Sequence, residues 1–278
     1  MSRNKDRLGG HKADSAETPL QFNPLNFVAP TEFVDLPSKG LDYPEDHPLH
    51  GEDTIEIRYM TAKDEDILTS QTLLKKGIAI ERFLENIIIN KNIDSKSLLI
   101  GDRNAILISA RGSGYGFDYD ANLTCPQCST ETSLSFDLRN PKVVGILAED
   151  QTIVTKVSPG VYSTKMPLTN FQVNFRLMNG TDENILTEKL RKNNTKEEEN
   201  LLTSQFKRLI ISIEGHEDKD IINQYVENMP TVDSRHFKIC LKATTPNIEI
   251  KENFKCRKCE YTQEVDVPYG TDFFWPDR

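Results

Sequence analysis

Apolar and polar residues alternate in two stretches of the chain, TIEIRYM at residues 54–60 and FQVNFRLM at residues 171–178. Alternation with a period of two predicts β-strands that bury one face. A longer segment with apolar residues at helical spacing follows each stretch, GIAIERFLENIIIN at 77–90 and NLLTSQFKRLIISIEG at 200–215. That spacing predicts helices packed against neighbouring elements. The pattern therefore predicts a chain that mixes strands and helices.

The same order of elements occurs twice because the sequence itself repeats. Residues 55–69 and 173–187, aligned without a gap, agree at seven of fifteen positions. In each copy a residue suited to a helix N-cap, Thr61 or Asn179, precedes an aspartate by three positions, which is an acidic form of the capping box. Negative charge also suits a helix N-terminus. We therefore expect these two aspartates to serve the fold and not catalysis: Asp64 and Asp182.

A further helix is predicted in each copy, opened by Asp102 in GDRNAILISAR and by Asp233 in VDSRHFKICLK. Each of these aspartates stands 23 residues before the first cysteine of a CxxC pair. Alternating residues flank both pairs, which predicts a hairpin with the cysteines in its turn. An internal duplication is the simplest explanation of the shared order. The cysteine pairs are Cys125 with Cys128, and Cys256 with Cys259.

The four paired cysteines predict a metal site. One CxxC turn presents two thiolates to an ion, and two such turns complete the tetrahedral set that Zn²⁺ prefers. The pairs are far apart in sequence, but two copies packed about a pseudo-twofold axis would each deliver half of one site. We therefore expect one structural Zn²⁺ held by Cys125, Cys128, Cys256 and Cys259.

The cysteine pairs allow other interpretations. Two separate dithiols, or a site that has lost its metal, are the plain alternatives. A thioredoxin-type redox pair would need its first cysteine at a helix N-terminus, and these pairs lie between predicted strands. Four thiolates leave no open position for water, which argues against a catalytic zinc. The fifth cysteine, Cys240, lies among apolar helix residues and is expected to be a small buried side chain.

The predicted fold class is α+β, with a pseudo-twofold arrangement of two copies joined by a shared, zinc-ribbon-like site of four cysteines. Each copy is expected to run strand, helices and CxxC hairpin. Residues 1–30 are polar and predict a disordered or extended N-terminal arm. The expected divisions after it are a first repeat at 31–140, a second repeat at 141–268 and an aromatic C-terminal tail at 269–278.

Charge and composition narrow the functional classes. The 43 acidic residues outnumber the 34 basic ones, and the formal charge is −9. This balance disfavours a nucleic-acid partner, because affinity for phosphate depends on Lys and Arg. No apolar run is long enough for a membrane span. The first twenty residues contain no apolar signal core, so we expect a reducing cytosol in which the cysteines do not form disulfides.

Three other segments have compositions that predict their structure or contacts. RGSGYG at 111–116 lacks the spacing of a phosphate-binding loop and predicts a flexible turn before the first cysteine hairpin. EFVDLPSKGLDYPEDHPL at 32–49 predicts an edge strand or a loop that reaches a neighbour. The tail carries Phe273, Phe274 and Trp275, which either pack on the protein's own domain or contact a partner protein, and we favour the partner. No arrangement typical of an enzyme active site was found, so a non-enzymatic role is expected.

Four motifs, taken in order, resemble a known family: LPSKGLDYP, IEIRYMTAKDEDILT, LLIGDRNAILISARGSGYG and CPQC. Together they resemble the T4-like phage baseplate hub proteins, which comprise the small hub subunit and the hub assembly protein of contractile-tailed phages. The similarity is densest over residues 33–137, and the second copy lacks the GDRN sequence. The family offers no catalytic residues to carry over.

The resemblance implies a structural component of the hub or wedge region of a contractile tail baseplate. Its partners would be other baseplate and tail proteins, with no small-molecule substrate and no membrane. It would assemble in the host cytoplasm and remain in the virion tail. The alternative is a transient assembly chaperone that is absent from the finished virion. A third reading, a zinc-ribbon nucleic-acid binder, rests only on basic residues around the second cysteine pair: Lys251, Lys255, Arg257 and Lys258.

Overall fold

The computed structural model describes residues 29–145, 153–192, 201–268 and 271–274. Within them helices and strands are mixed along the chain, so the predicted α+β class is confirmed. Residues 29–145 are called the first half below, and residues 153–268 the second half. The predicted N-terminal arm lies outside the described residues except for its last two positions.

The first half is a β-hairpin, three short helices, one long helix and a second hairpin. A 3-10 turn at Ser95–Ser97 precedes the long helix. The chain then leaves through a short strand, β5. In order these elements are β1 (Thr31–Asp35), β2 (Thr54–Arg58), α1 (Ala62–Thr69), α2 (Gln71–Lys76), α3 (Ala79–Ile87), α4 (Ile100–Tyr115), β3 (Asp118–Thr124), β4 (Glu131–Asp137) and β5 (Lys142–Val144).

The second half contains a four-stranded antiparallel sheet in the order β6-β7-β8-β9 and a second cysteine hairpin, β11-β12. Along the chain, two helices precede the last strand of the sheet, and two further helices and the short strand β10 lie between the sheet and the hairpin. The elements are β6 (Thr155–Ser158), β7 (Val161–Lys165), β8 (Gln172–Arg176), α5 (Gly180–Lys192), α6 (Leu201–Leu209), β9 (Ile210–Ile213), α7 (Lys219–Glu227), α8 (Thr231–Thr244), β10 (Asn247–Glu249), β11 (Lys251–Lys255) and β12 (Thr262–Asp266).

Helix α6 is shorter than the sequence predicts. The segment 200–215 was expected to be one helix, but the chain leaves helix after Leu209 and pairs with β8 as strand β9. The β-branched residues Ile210, Ile211 and Ile213 favour a strand. A short apolar run does not by itself distinguish strand from helix, so the pairing with β8 decided the outcome.

Helix α4 is longer than predicted, because it runs through RGSGYG to Tyr115 and that segment is not a flexible turn. The glycines allow close packing. A Cβ on Gly112 would lie 2.2 Å from the ring of Phe117, and one on Gly101, at the other end of α4, would lie 1.9 Å from the carbonyl oxygen of Pro246. Arg111 of this helix is fully buried and donates to the carbonyl oxygen of Phe273 at 2.8 Å.

The C-terminal aromatic residues lie in the core of the protein itself. Phe273 and Phe274 belong to a 3-10 turn at Thr271–Phe274, and each is about 1% exposed. Their rings make edge contacts with Tyr119 and Phe83 respectively. The expectation that they contact a partner is therefore wrong, because the first half contains the apolar site that they fill. Trp275 lies outside the described residues.

The two halves meet through paired strands and polar contacts. β5 pairs antiparallel with β10, and Asn104 on α4 donates to Asn247 at 3.2 Å. The predicted extended segment 32–49 does not project away from the fold. It forms β1 and then a loop in which buried Asp42 binds Lys156 and Tyr162 of the second half, each at 2.7 Å.

Candidate metal centre

The first cysteine pair lies in the turn between β3 and β4. The amide of Cys125 donates to the carbonyl oxygen of Thr130 at 3.0 Å, and the amide of Ser129 donates back to Cys125 at 2.9 Å. Ser129 has a φ of 55°, so the backbone after Cys128 is left-handed. This turn directs both thiols toward the same side.

The second pair lies in a turn of the same form between β11 and β12. The amide of Cys256 donates to the carbonyl oxygen of Tyr261 at 2.8 Å. Glu260, the residue after Cys259, is left-handed with a φ of 58°. The amide of Lys258 lies 3.4 Å from the sulfur of Cys256, so a backbone donor already faces that thiol.

The two turns face each other, and the four sulfur atoms lie within 4.8 Å of one another. Two contacts across the halves are shorter, with Cys125 Sγ at 3.6 Å from Cys259 Sγ and Cys128 Sγ at 3.5 Å from Cys256 Sγ. A tetrahedral zinc site with Zn–S bonds of about 2.3 Å requires sulfur separations of about 3.8 Å. The sulfurs are too far apart for disulfides, whose bonds are about 2.05 Å. The cluster therefore fits a single tetrahedral metal ion.

A small apolar cluster shields the sulfurs from one side. Cys125 and Cys256 are at most 1% exposed, whereas Cys128 and Cys259 are half-buried. Phe254 is buried between the hairpins, and partly buried side chains complete the cluster: Leu123, Leu134, Tyr261 and Val265. The site thus lies near the surface with an apolar inner wall.

The electrostatics of the cluster favour a bound cation. Hydrogen bonds with the side chain and backbone of Thr130 lower the pKa of Cys128 to about 6. The backbone amides of Cys259 and Lys258 lower the pKa of Cys256. The pKa of Cys259 moves the other way, to about 12, because burial and the neighbouring cysteines outweigh the hydrogen bond with the Tyr261 backbone. Four thiolates this close repel one another unless a cation neutralises them.

The aspartates singled out in the sequence are structural. Asp64 is fully buried, caps α1 through the amide of Thr61 at 2.8 Å and accepts two hydrogen bonds from Arg58 at 2.6 and 2.9 Å. Asn86 adds a fourth at 2.6 Å. Burial raises the pKa of Asp64, but these hydrogen bonds outweigh burial and leave the pKa below its ordinary value. The predicted capping role is confirmed.

Asp182 has a matching position in the second half. It is about 1% exposed, accepts from the amide of Asn179 at 3.2 Å and binds both nitrogens of Arg176 at 2.6 and 2.8 Å. A second guanidinium, that of Arg208, also contacts it. Burial raises the pKa of Asp182, and the two arginines together with the Asn179 amide leave the pKa below its ordinary value.

The aspartates that open the later helices tie those helices to the loops of the first hairpins. Asp102 accepts from the amide and hydroxyl of Ser38 at 3.0 and 2.6 Å and from Tyr43 at 2.7 Å. Asp233 accepts from the amides of Leu168 and Thr169 at 2.8 and 3.1 Å. The sequence pattern placed these aspartates at helix starts but did not identify the loop donors, since no local pattern links residues 59 or more positions apart.

Cys240 is buried as predicted, with its sulfur 3.4 Å from His236 Nε2. Burial raises its pKa, so it is a poor nucleophile.

In the part of the chain that the structure describes, no helix has the length and apolar character needed to cross a bilayer.

The chain is thus an α+β protein whose halves each bring two cysteines to one potential metal site. A family model described as "T4 bacteriophage base plate protein" matches residues 30–275. The chain belongs to this family, which confirms the family-level resemblance seen in the sequence. Membership implies contacts with other tail proteins and a place in the virion tail. No curated protein and no solved structure matched the chain.

Proposed function

We propose that this chain is a structural component of the hub or wedge region of a contractile tail baseplate, and that it acts through contacts with other baseplate proteins. The match of the family model to residues 30–275 is the observation that carries the proposal. The protein would assemble in the host cytoplasm and stay in the virion tail. It would need no small-molecule substrate.

The proposed role is not catalytic, and the polar groups support this. The five buried aspartates are occupied by hydrogen bonds with helix caps, loops and, for Asp42, Lys156 and Tyr162, and the Cys240 thiol is held in its less reactive form by burial. Asp64 and Asp182, whose pKa values lie below the ordinary value, are poor general bases because their basicity is low.

The four cysteines would hold one Zn²⁺ that joins the halves. The sulfur separations of 3.5 and 3.6 Å across the halves support this assignment. Bound there, zinc supplies a structural cross-link with a closed coordination sphere. The chain's own residues provide the preorganisation: backbone donors face Cys256, Thr130 faces Cys128, and Phe254 keeps water from one side of the sulfurs.

An internal duplication would explain why both halves contribute equally to this site. The β1-β2 and β7-β8 hairpins have the same hydrogen-bond phase. The backbone amide of Tyr59 donates to the carbonyl oxygen of Pro30, and that of Leu177 donates to the carbonyl oxygen of Gly160. Both acceptors directly precede the first strand of their hairpin. The Arg58–Asp64 and Arg176–Asp182 pairs then recur at the same separation. The domains at 31–140 and 141–268 would be the two copies.

Quantitative mass spectrometry of purified virions tests the baseplate role. We expect the chain at a fixed stoichiometry with known baseplate proteins, because a structural subunit remains after assembly. A deletion phage should accumulate tails that lack complete baseplates. If the chain is present on assembly intermediates but absent from virions, it is the assembly chaperone instead.

A nucleic-acid role has less support from the charges. Lys251, on the second cysteine hairpin, pairs with Glu249 at 2.8 Å, and acidic residues alternate with the other basic ones. We expect no salt-dependent shift of double-stranded DNA or single-stranded RNA by the purified protein, because paired lysines release few counterions. A shift that weakens steeply with salt would support the nucleic-acid binder.

A further inference from the structure

The first hairpin of each half presents the same backbone edge, but among the residues that the structure describes only one of these edges is covered. Gly160 and Met166, which flank β7, form backbone hydrogen bonds on the β8 side. Because the pattern alternates, Val161, Ser163 and Lys165 direct their backbone groups to the opposite edge. Strand β6 covers that edge, with Ser158 opposite Val161 and Thr155 opposite Ser163.

Strand β1 has the same alternation of backbone hydrogen bonds as β7. Pro30 and Leu36 bond to the β2 side, so Thr31, Phe33 and Asp35 direct their backbone groups to the outer edge. Within the described residues β1 pairs with β2 alone. The first half therefore has an open strand edge where the second half has β6. Unpaired strand edges readily accept another strand.

The open edge borders an apolar groove of about 850 Å³. β1 forms one wall, helix α4 the floor and the segment around β5 the other wall. Three large apolar side chains that line it are exposed to solvent: Phe33 by 70%, Phe117 by 39% and Val143 by 46%. Exposed apolar groups that cluster along a groove mark a binding site more often than isolated ones do.

The helix that packs behind the strand also differs between the halves, because its side chains beside the strand are smaller in the first half. In the second half, His236 and Cys240 of α8 contact Thr164 of β7 and fill the space behind the strand. The residues 131 positions earlier are Ala105 and Ser109 of α4, and both line the groove. Their small side chains leave room beside β1 that His236 and Cys240 occupy beside β7.

The turn that supplies β6 cannot be formed in the first half. β6 reaches the edge of β7 through Pro159 and Gly160, and Gly160 has a φ of 68°. The matching position before β1 is Pro30, whose ring holds φ near −65°. The residues preceding β1 therefore cannot return to its edge through the same turn. This argues that the covering strand comes from another chain.

We propose that the edge of β1 is the docking site for an extended strand of another baseplate protein, which pairs antiparallel with β1 as β6 pairs with β7. Main-chain hydrogen bonds to Phe33 and Asp35 would supply affinity, and apolar side chains at alternate positions would enter the groove. Asp35 and Asp53 line the groove together with one lysine, Lys39, and neither aspartate forms an ion pair among the described residues, so a basic residue fits there. This inference deepens the proposed baseplate role and depends on it.

Hydrogen exchange of the purified full-length protein provides the first test. We expect the amides of Phe33 and Asp35 to exchange rapidly at low protein concentration, and the amide of Val34, which faces β2, to exchange slowly. A synthetic peptide of residues 152–158, TIVTKVS, serves as the probe because it contains β6. At saturation it should slow exchange at Phe33 and Asp35 at least tenfold in wild-type protein and have no effect in Phe33→Pro, which lacks the outward amide.

Complementation of a phage that lacks this gene provides the second test. Phe33→Lys places a charge in the groove without removing a buried side chain, so its melting temperature should match the wild type, while infectious particles should fall at least tenfold. Ile239→Lys is the matched control, since Ile239 is 51% exposed on α8, away from β1, and should assemble normally. Phe33→Lys also covers the case in which Phe33→Pro does not fold.

Four results would overturn the docking site. Slow exchange of the Phe33 amide at every concentration would mean that the chain covers its own edge. Exchange that slows as protein concentration rises would assign the edge to a second copy. A peptide that does not slow exchange, or normal assembly of Phe33→Lys, would also overturn it. Absence of the chain from virions would reject the baseplate role and leave the exchange results unchanged.

Discussion

The two halves share a buried Arg–Asp pair but stabilise it differently. Asp64 receives one guanidinium, from Arg58, and the neutral amide of Asn86. Asp182 receives two guanidinium groups, from Arg176 and Arg208. The comparison teaches that the carboxylate is the constant requirement, because it joins the strand to the helix start. Its further donors can differ as long as no acceptor is left unsatisfied.

The halves also differ at their edges and yet cooperate at the cysteines. The second half is closed by β6, whereas β1 of the first half has no outer neighbour in the described part of the chain, but each half contributes two sulfurs to one cluster. The symmetric feature is thus the potential metal site, and the asymmetric feature is the surface.

The largest expected effect comes from the cysteines. Cys125→Ala and Cys256→Ala should each lower bound zinc from one ion per chain to none, because a single site needs both halves. Unfolding free energy should fall by roughly 5 kcal/mol, since structural zinc contributes about 10–16 kcal/mol of apparent binding energy in zinc-finger peptides. Metal analysis and chemical denaturation measure both quantities. Cys240→Ala is the control and should keep its zinc; a stoichiometry of two ions would reject the shared site.

The next largest effect concerns the C-terminal residues that pack into the first half. Phe274→Ala should lower the unfolding free energy by about 3–5 kcal/mol, as expected for removal of a fully buried phenylalanine. Phe33→Ala, at 70% exposure, should change it by less than about 0.5 kcal/mol. Urea denaturation of both variants compares them. Equal, small effects would mean that the C-terminal turn is not part of the core.

The difference between the two Arg–Asp pairs is measurable. Arg58→Met leaves Asp64 without a cation and should cost about 3 kcal/mol, whereas Arg176→Met leaves Arg208 on Asp182 and should cost about 1 kcal/mol. Combining Arg176→Met with Arg208→Met should restore the larger cost. Denaturant midpoints at constant pH provide the comparison. A larger cost for Arg176→Met than for Arg58→Met would contradict the compensation by Arg208.

The smallest effect is a change in the acid dependence of stability. The pKa of Asp64 is below its ordinary value in the folded protein, so the stability it contributes is present above about pH 4 and is lost as pH falls through the folded pKa. Asp64→Asn should therefore flatten the decline of the melting temperature below pH 4. The pKa of Asp102 is raised by burial, so its contribution has the opposite sign, and Asp102→Asn should steepen that decline.

Much of the candidate site could be predicted because its signals are local. A CxxC turn needs only a few neighbouring residues to direct two thiols to one side, and Cys125 with Cys128 and Cys256 with Cys259 do so. The helix starts at Asp64 and Asp182 were predictable for the same reason, since a cap lies within one turn of its helix. That zinc occupies the cluster stays a prediction.

The incorrect predictions fall where distant residues decide the structure. Strand β9 forms because β8 offers backbone partners to an apolar run that could also have been helical. RGSGYG is helical where Met60, more than fifty positions earlier, packs against Gly114. Phe273 and Phe274 are buried because Phe83 and Tyr119, far away in sequence, provide the apolar site.

The amino-acid sequence by itself determined the class of fold, the helix starts and the four cysteines that meet, because hydrophobic period, capping and turn geometry act over a few residues. Only the tertiary structure decided which loops donate hydrogen bonds to the buried aspartates and where the C-terminal phenylalanines pack. It also decided which strand edge is left unpaired among the described residues. Those outcomes depend on contacts between residues tens to more than a hundred positions apart, and the free energy of such contacts is set by the assembled fold and not by any short stretch of chain.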